Sequence, residues 1–211
     1  MLTARDTSKA LRSFVYPVLK NAGFDDWTTR KAWRRKGDRI DHIEFVSFSP
    51  NNATAHGCTT ASVGVRLGIS FPDYGCTVDP YHKDYIKSGP SGPRPNESQM
   101  PIRGVLAPSG APRLTLGQWG KKYEWIWKIR TIEEVDDAAR DIAAQFEIYG
   151  LDWLGFDWNL NELLDLLEGP QVSPVLISRR TGAHLWLDAE VAGSPIRKVH
   201  IKMVETAIGK N

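Results

Sequence analysis

Residues 61–71 carry the longest strict alternation of apolar and small or polar side chains in this sequence. The odd positions are all apolar, whereas the even positions hold two serines, two glycines and Arg66. Because successive side chains of a strand point to opposite faces, the pattern predicts a strand with one apolar face and one shallow face. The glycines would let a helix, a ligand or a partner approach the shallow face closely, so Arg66 is a candidate binding residue. An open or helix-covered sheet face would use small residues equally well.

Four other segments have the alternation or the composition of strands. They are 31–36, 39–48, 102–107 and 121–129. The first two are separated only by a glycine-aspartate turn, and strands that are close in sequence favour an antiparallel meander with the strand at 61–71. The sequence therefore predicts an antiparallel sheet of about five strands.

Apolar residues at three- and four-residue spacing predict helices on either side of these strands. The first helix covers 7–22, with a kink at Pro17 and a C-terminal cap at Gly23. Thr131 and Asn159 are each followed three residues later by glutamate, which is the pattern of a helix N-terminus. Two further helices are therefore predicted behind these capping residues.

The last forty residues are predicted to be helical. One helix passes through Leu185 and Trp186, and another begins at Pro195. The predicted fold class is α+β, with helices packed on one face of the antiparallel sheet in a domain over 1–170. A C-terminal helical extension over 171–211 completes the prediction.

Residues 72–113 interrupt the regular elements with many prolines and glycines. Such a segment cannot form a long helix, and it is too long for an ordinary connection between strands. We interpret it as an insertion within the α+β domain. Its central part, 83–99, is predicted to be a mobile loop.

The composition limits the function classes that remain. A formal net charge of +2 is too small for a protein that coats polyanions, so an electrostatic partner would have to meet a local patch. The sequence contains neither an apolar run long enough to span a membrane nor a signal-peptide pattern at its N-terminus. We therefore expect a soluble, cytoplasmic protein without a membrane partner.

Two cysteines and two histidines near the predicted strand at 61–71 offer possible metal ligands. They are His56, Cys58, Cys76 and His82. The strand between the two cysteines spans roughly 40 Å when extended, and the following loop is too short to reverse that separation. We predict free thiols, no metal and no cofactor.

An acidic loop over 73–84 suggests a metal-dependent hydrolase as one alternative function. Its aspartates could converge around Mg²⁺, although loop aspartates are usually solvated turn residues. Asp41 and Glu44 lie on opposite faces of their predicted strand and do not complete such a site. No catalytic residue is predicted from these patterns.

The hairpin at 30–39 is the most concentrated group of basic residues. Its candidate binding residues are Trp33, Arg34, Arg35 and Arg39. Cations interleaved with an aromatic ring suit nucleic-acid phosphates and bases, and they also suit an acidic protein surface. A third interpretation is that positive charge protects an edge strand from pairing with another chain.

The order of several short motifs resembles a known bacterial family. The motifs are KNAGF, KAWRR, VRLGI, GC, RGVL, YEWIWKI and YGLDWLGFDWNLNELLDLL. Together they resemble the domain of unknown function 4304 family over roughly residues 8–168. The resemblance implies a bacterial source and an α+β fold, and it assigns no catalytic residue. The proline-rich insertion and the C-terminal helices depart from the family pattern.

We expect a non-catalytic protein that binds another macromolecule, most simply a protein, in an immunity-type or accessory role. The alternatives are a nucleic-acid-binding module that uses the basic hairpin and a hydrolase that uses the acidic loop. A basic hairpin in contact with phosphates would show steeply salt-dependent binding, which separates the first alternative from protein binding.

Overall fold

The structure of the protein is a computed structural model. It describes residues 2–72, 87–96, 100, 102–111, 125–168, 175–177, 184–187 and 195–209. The strands in these ranges are β1 (Asp26–Trp27), β2 (Lys31–Lys36), β3 (Arg39–Ser47), β4 (Val63–Ser70), β5 (Lys87–Gly89), β6 (Gly92–Arg94), β7 (Ile102–Leu106), β8 (Ile126–Trp127), β9 (Val175–Ile177) and β10 (His184–Leu187). The α-helices are α1 (Ala4–Asn21), α2 (Pro50–Ala55), α3 (Glu134–Gln145), α4 (Leu151–Gly155), α5 (Leu160–Glu168) and α6 (Pro195–Ala207). A π-helical turn, Phe146–Gly150, joins α3 to α4.

Eight of these strands form one antiparallel sheet within the described part of the chain. Its order is β1-β2-β3-β4-β7-β10-β9, and β8 pairs with the first two residues of β4. Five of its strands have at least four residues, namely β2, β3, β4, β7 and β10. The predicted α+β fold with an antiparallel sheet of about five strands is confirmed. The strands predicted at 31–36, 39–48, 61–71 and 102–107 form β2, β3, β4 and β7, and β8 is the part of the strand predicted at 121–129 that the structure describes as a strand.

The apolar face of β4 contacts the main helical layer. Val65, Leu67 and Ile69 are fully or almost fully buried together with side chains from α1, α3, α4 and α5. A cation–π contact joins α1 to α3, because the Arg140 guanidinium lies 4.0 Å from the centroid of the Phe14 ring. This arrangement confirms the predicted packing of helices on one face of the sheet.

The C-terminus of α1 has the predicted glycine cap. Gly23 has a φ of 89°, a left-handed conformation that glycine adopts without steric cost. The Gly23 N–H donates to the Lys20 carbonyl, and the Phe24 N–H donates to the Leu19 carbonyl. These two bonds form a Schellman motif, and Phe24 enters the core directly after it.

The shallow face of β4 is covered by the chain itself. The Trp125 ring lies over Gly64, where a Cβ atom would come within 1.9 Å of Trp125 Cζ3. Met100 fills the space over Gly68, where a Cβ atom would come within 2.6 Å of Met100 Cγ. The glycines therefore accept non-helical segments of the chain, in contrast to the open or helix-covered face that we considered.

The structure corrects one prediction for the C-terminal segment and describes part of the predicted mobile loop. Residues 184–187 form β10, paired with β7 and β9, so the predicted helix through these positions is wrong. The helix that begins at Pro195 is confirmed as α6. Residues 87–94, part of the predicted mobile loop, form the β5–β6 hairpin, whereas 83–86 and 97–99 lie outside the described residues.

Candidate functional site

A buried ion cluster holds two of the predicted binding residues. Asp41, with 0% of its surface exposed, accepts two hydrogen bonds from Arg34, at 2.8 Å from Nε and 2.5 Å from Nη2. Arg39, 3% exposed, places its Nε atom 3.1 Å from Asp41 Oδ1. Burial raises the pKa of Asp41, and the two guanidinium groups oppose this rise. The cluster belongs to the interior and not to an open surface.

The same two arginines bind the carboxyl ends of helices. Arg34 donates to the Ala22 carbonyl at the end of α1 at 2.6 Å. Arg39 donates to the Leu154 carbonyl in α4 and, at 2.6 Å, to the Phe156 carbonyl that follows it. The last carbonyls of a helix lack partners within the helix and carry partial negative charge, so a guanidinium stabilises them. Arg34 and Arg39 thus connect the β2–β3 hairpin to two helix ends.

A second cluster attaches the insertion to the sheet. Asp26, 3% exposed, pairs with Arg94 from β6 and, at 3.3 Å, with Arg35 from β2. Hydrogen bonding from Arg94, assisted by the positive charge of Arg35, lowers the pKa of Asp26. Arg35 also donates to the Pro93 carbonyl at 2.7 Å. The insertion hairpin is therefore fixed to β1 and β2 by one carboxylate and two arginines.

Trp33 strengthens the same attachment. Its Nε1–H donates to the Pro95 carbonyl at 2.9 Å, and the Arg94 guanidinium lies 5.3 Å from its ring centroid. Lys31, the first residue of β2, contributes a further contact, because its ammonium donates to Asn96 Oδ1 at 3.0 Å. All four predicted binding residues of the hairpin thus contact other parts of their own chain.

Arg66 lies apart from both clusters, on the glycine-bearing face of β4. Its guanidinium carbon is 5.5 Å from the centroid of the Trp125 ring. This cation–π contact places Arg66 beside the ring that covers Gly64. The structure therefore brings Arg34 and Arg39 together, joins Trp33 to Arg35 through the insertion, and places Arg66 apart from them, beside Trp125.

His42 is buried on the same face of the sheet as Trp33. It is 0% exposed, its ring centroid lies 5.2 Å from that of Trp33, and its strand neighbour on β4 is Gly68. Neither ring nitrogen has a hydrogen-bond partner within the described part of the chain. Burial lowers the pKa of His42 to about 3, and the positive charge of Lys31 acts in the same direction. His42 is therefore held in its neutral form.

Several residues of the alternative hydrolase and metal sites lie outside the described residues. These are the acidic loop at 73–84, with Cys76 and His82. Cys58 is described, half-buried and present as a free thiol whose pKa is raised by burial. Among the described residues, no three histidine, cysteine or carboxylate side chains cluster to hold a metal ion.

The π-helical turn exposes two large apolar side chains that the sequence analysis did not select. Ile148 is 57% exposed and Tyr149 is 37% exposed. The turn itself is anchored, because Phe146 is fully buried and Gly150 lies against Leu106 of β7 so closely that a Cβ atom would come within 3.2 Å of Leu106 Cδ1. Each hydrogen-bonded ring of a π-helical turn contains one residue more than that of an α-helix, and such turns often occur at functional sites.

The pairing of Asp26 with Arg94 and the exposed side chains of the π-helical turn could not be found from local patterns. Asp26 and Arg94 are 68 positions apart in the chain, and Arg94 sits among prolines in an irregular segment. The only sequence signal for Ile148 and Tyr149 is that they continue an apolar helix into a glycine.

Comparisons of the chain with protein-family models, with curated proteins and with solved structures found no match. The resemblance to the domain of unknown function 4304 family therefore stays a prediction. None of the helices that the structure describes has both the length and the apolar composition needed to cross a membrane.

Replacing Asp26 with asparagine should loosen the β5–β6 hairpin. The change removes the negative charge that Arg35 and Arg94 share, and we expect trypsin to cleave the Lys87–Ser88 bond about tenfold faster. Limited proteolysis followed by mass spectrometry measures this rate. Asp38→Asn, which neutralises an exposed carboxylate in the β2–β3 turn, is the control and should leave the rate unchanged. Equal cleavage of both variants would contradict the role of Asp26.

Proposed function

We propose that this protein is a non-catalytic protein that binds another protein. The observation that carries the proposal is the exposure of Ile148 and Tyr149 side by side on an anchored turn. Adjacent large apolar side chains that remain partly exposed are typical of a surface that a protein partner covers. A tyrosine in such a position supplies a large contact area with one polar group.

The anchoring of the turn supports this proposal. Phe146 packs against Phe45 with ring centroids 6.3 Å apart, and Gly150 contacts β7, so both ends of the turn are held by the core. A rigid surface loses little conformational entropy on binding, which favours affinity. Ile148 and Tyr149 thus project from a preformed element.

The internal contacts of the basic hairpin argue against the binding of nucleic-acid phosphates there. A phosphate bound by Arg34, Arg35 or Arg39 would compete with Asp41, Asp26 and several backbone carbonyls for the same N–H donors. Displacing a buried carboxylate from its arginine is costly. We therefore place the protein-binding surface at the π-helical turn and keep the hairpin arginines as internal connections.

A photo-crosslinking experiment tests the proposal. A photoreactive amino acid at Glu147, an exposed neighbour, reports on whatever contacts the turn without replacing Ile148 or Tyr149. In a lysate of cells that naturally contain the protein, we expect a discrete protein adduct that Ile148→Glu reduces at least about fivefold, because a charge disfavours an apolar interface.

Ile132→Glu is the matched control. Ile132 is 55% exposed, nearly the same as Ile148, but it lies before α3 and away from the turn. This variant should keep the adduct. An adduct that persists in Ile148→Glu, or one that disappears on nuclease treatment, would contradict the proposed function.

A further inference from the structure

Helix α1 carries an exposed row of cations that we call the α1 stripe, defined by Arg5, Lys9 and Arg12. All three side chains are exposed, and their spacing of four and then three residues places them on one side of the helix. At 1.5 Å per residue the stripe is about 10 Å long. Among the residues that the structure describes, no carboxylate pairs with any of the three.

Arg30 adds a further positive charge next to the α1 stripe. Its Nη2 atom donates to the Ala4 carbonyl at 2.7 Å, and its Nη1 atom is buried without a hydrogen-bond partner in the described part of the chain. Burial lowers the pKa of Arg30, and the nearby charge of Arg12 adds to this effect while Tyr16 opposes it. Arg12 and Arg30 therefore lie close together with no described carboxylate between them.

The described carboxylates do not pair with the cations of the α1 stripe, but they do pair with cations of the neighbouring β2–β3 hairpin. Lys31, Arg34, Arg35 and Arg39 each have a carboxylate partner. The carboxylate that is nearest to the stripe in the sequence belongs to Asp6. It accepts hydrogen bonds from the N–H and the hydroxyl of Thr3. Carboxylates thus pair with these four cations of the hairpin, whereas the cations along α1 form a concentrated positive surface.

We propose that the α1 stripe, reinforced by Arg30, binds an acidic segment of a partner protein. Its length of about 10 Å matches two turns of a helix, and carboxylates at three- or four-residue spacing on a facing helix would lie opposite the three cations. The inference rests on the proposed protein-binding function and assigns a second surface with a stated partner chemistry.

The surface beside α1 favours an acidic protein segment over nucleic acid. Helix α3 packs against α1, and its N-terminal end exposes a group of carboxylates. They are Glu133, Glu134, Asp136 and Asp137. Because the formal net charge of the chain is only +2, a long polyanion gains little attraction beyond the stripe, whereas a short acidic segment can contact the stripe alone.

Fluorescence anisotropy with two probes tests this proposal. The probes are a labelled glutamate-rich helical peptide and a labelled single-stranded oligonucleotide of equal net charge, each at about 0.15 M ionic strength. We expect the wild-type protein to bind the peptide more tightly than the oligonucleotide. Reversing the stripe with Arg5→Glu, Lys9→Glu and Arg12→Glu together should weaken peptide binding at least about tenfold.

The matched control reverses three exposed lysines on other elements, Lys36→Glu, Lys87→Glu and Lys202→Glu, and changes the net charge equally. It should weaken peptide binding less than about twofold, and circular dichroism should show that both variants remain folded. Equal losses in the two variants, tighter binding of the oligonucleotide, or no detectable peptide binding would each overturn the proposal. Ile148→Glu should leave peptide binding unchanged, so failure of the π-helical-turn surface and failure of the α1 stripe are distinguishable.

Discussion

Replacing Asp41 with asparagine is expected to lower the free energy of unfolding by about 3–5 kcal/mol, the cost typical of breaking a buried ion pair. The substitution leaves Arg34 and Arg39 buried without the carboxylate that balances their charge. The two guanidinium groups would still bond to helix carbonyls, but these neutral groups do not replace a negative charge. Urea unfolding followed by tryptophan fluorescence measures the change.

Glu44→Gln provides the control for Asp41. Glu44 lies on the same strand and pairs with Lys31 at 3.1 Å, but both side chains remain partly exposed. An exposed pair contributes at most about 1 kcal/mol, so the control variant should remain close to the wild type. A loss in Asp41→Asn no larger than that in Glu44→Gln would show that the buried cluster does not stabilise the fold.

The second large effect concerns acidification and His42. The pKa of this side chain falls from 6.5 to about 3 in the folded protein, so below pH 6.5 the unfolded chain binds a proton that the folded chain does not. Stability is therefore lost as pH falls through this window. At a pH two units below 6.5 the loss from His42 is about 2–3 kcal/mol.

His42→Phe isolates this contribution. Phenylalanine keeps an aromatic ring against Trp33 and cannot be protonated. Unfolding free energies measured between pH 7 and pH 4.5 should decline less in the variant than in the wild type, by about the same 2–3 kcal/mol. Parallel pH profiles for the two proteins would show that His42 does not titrate on unfolding.

The central part of the fold is readable from the sequence because its signals are local. Strand β4 alternates strictly, the hairpin turn at Gly37 separates β2 from β3, and Gly23 ends α1. The segment at 184–187 has no such signal, because four residues are too few to distinguish a strand from a helix turn. Its conformation depends on pairing with β7, roughly eighty positions earlier in the chain.

The candidate site also depends on long-range contacts that local signals do not reveal. The sequence shows that the hairpin is basic, but not which way its arginines point. Arg39 binds the Leu154 carbonyl, 115 positions away, and Arg94 reaches Asp26 across 68 positions. Only the folded chain brings these groups together, so a local pattern of charge cannot separate internal connections from a binding surface.

Gly64 and Gly68 of β4 leave room above the sheet for two segments that come later in the chain. The Trp125 ring and the Met100 side chain occupy the spaces that side chains at positions 64 and 68 would otherwise fill. A shorter chain of the same fold that lacked these covering segments would have two voids above the sheet, which larger residues at both positions would have to fill. Glycine at both positions therefore indicates, at the level of the sequence, that other segments of the same chain cover this face of the sheet.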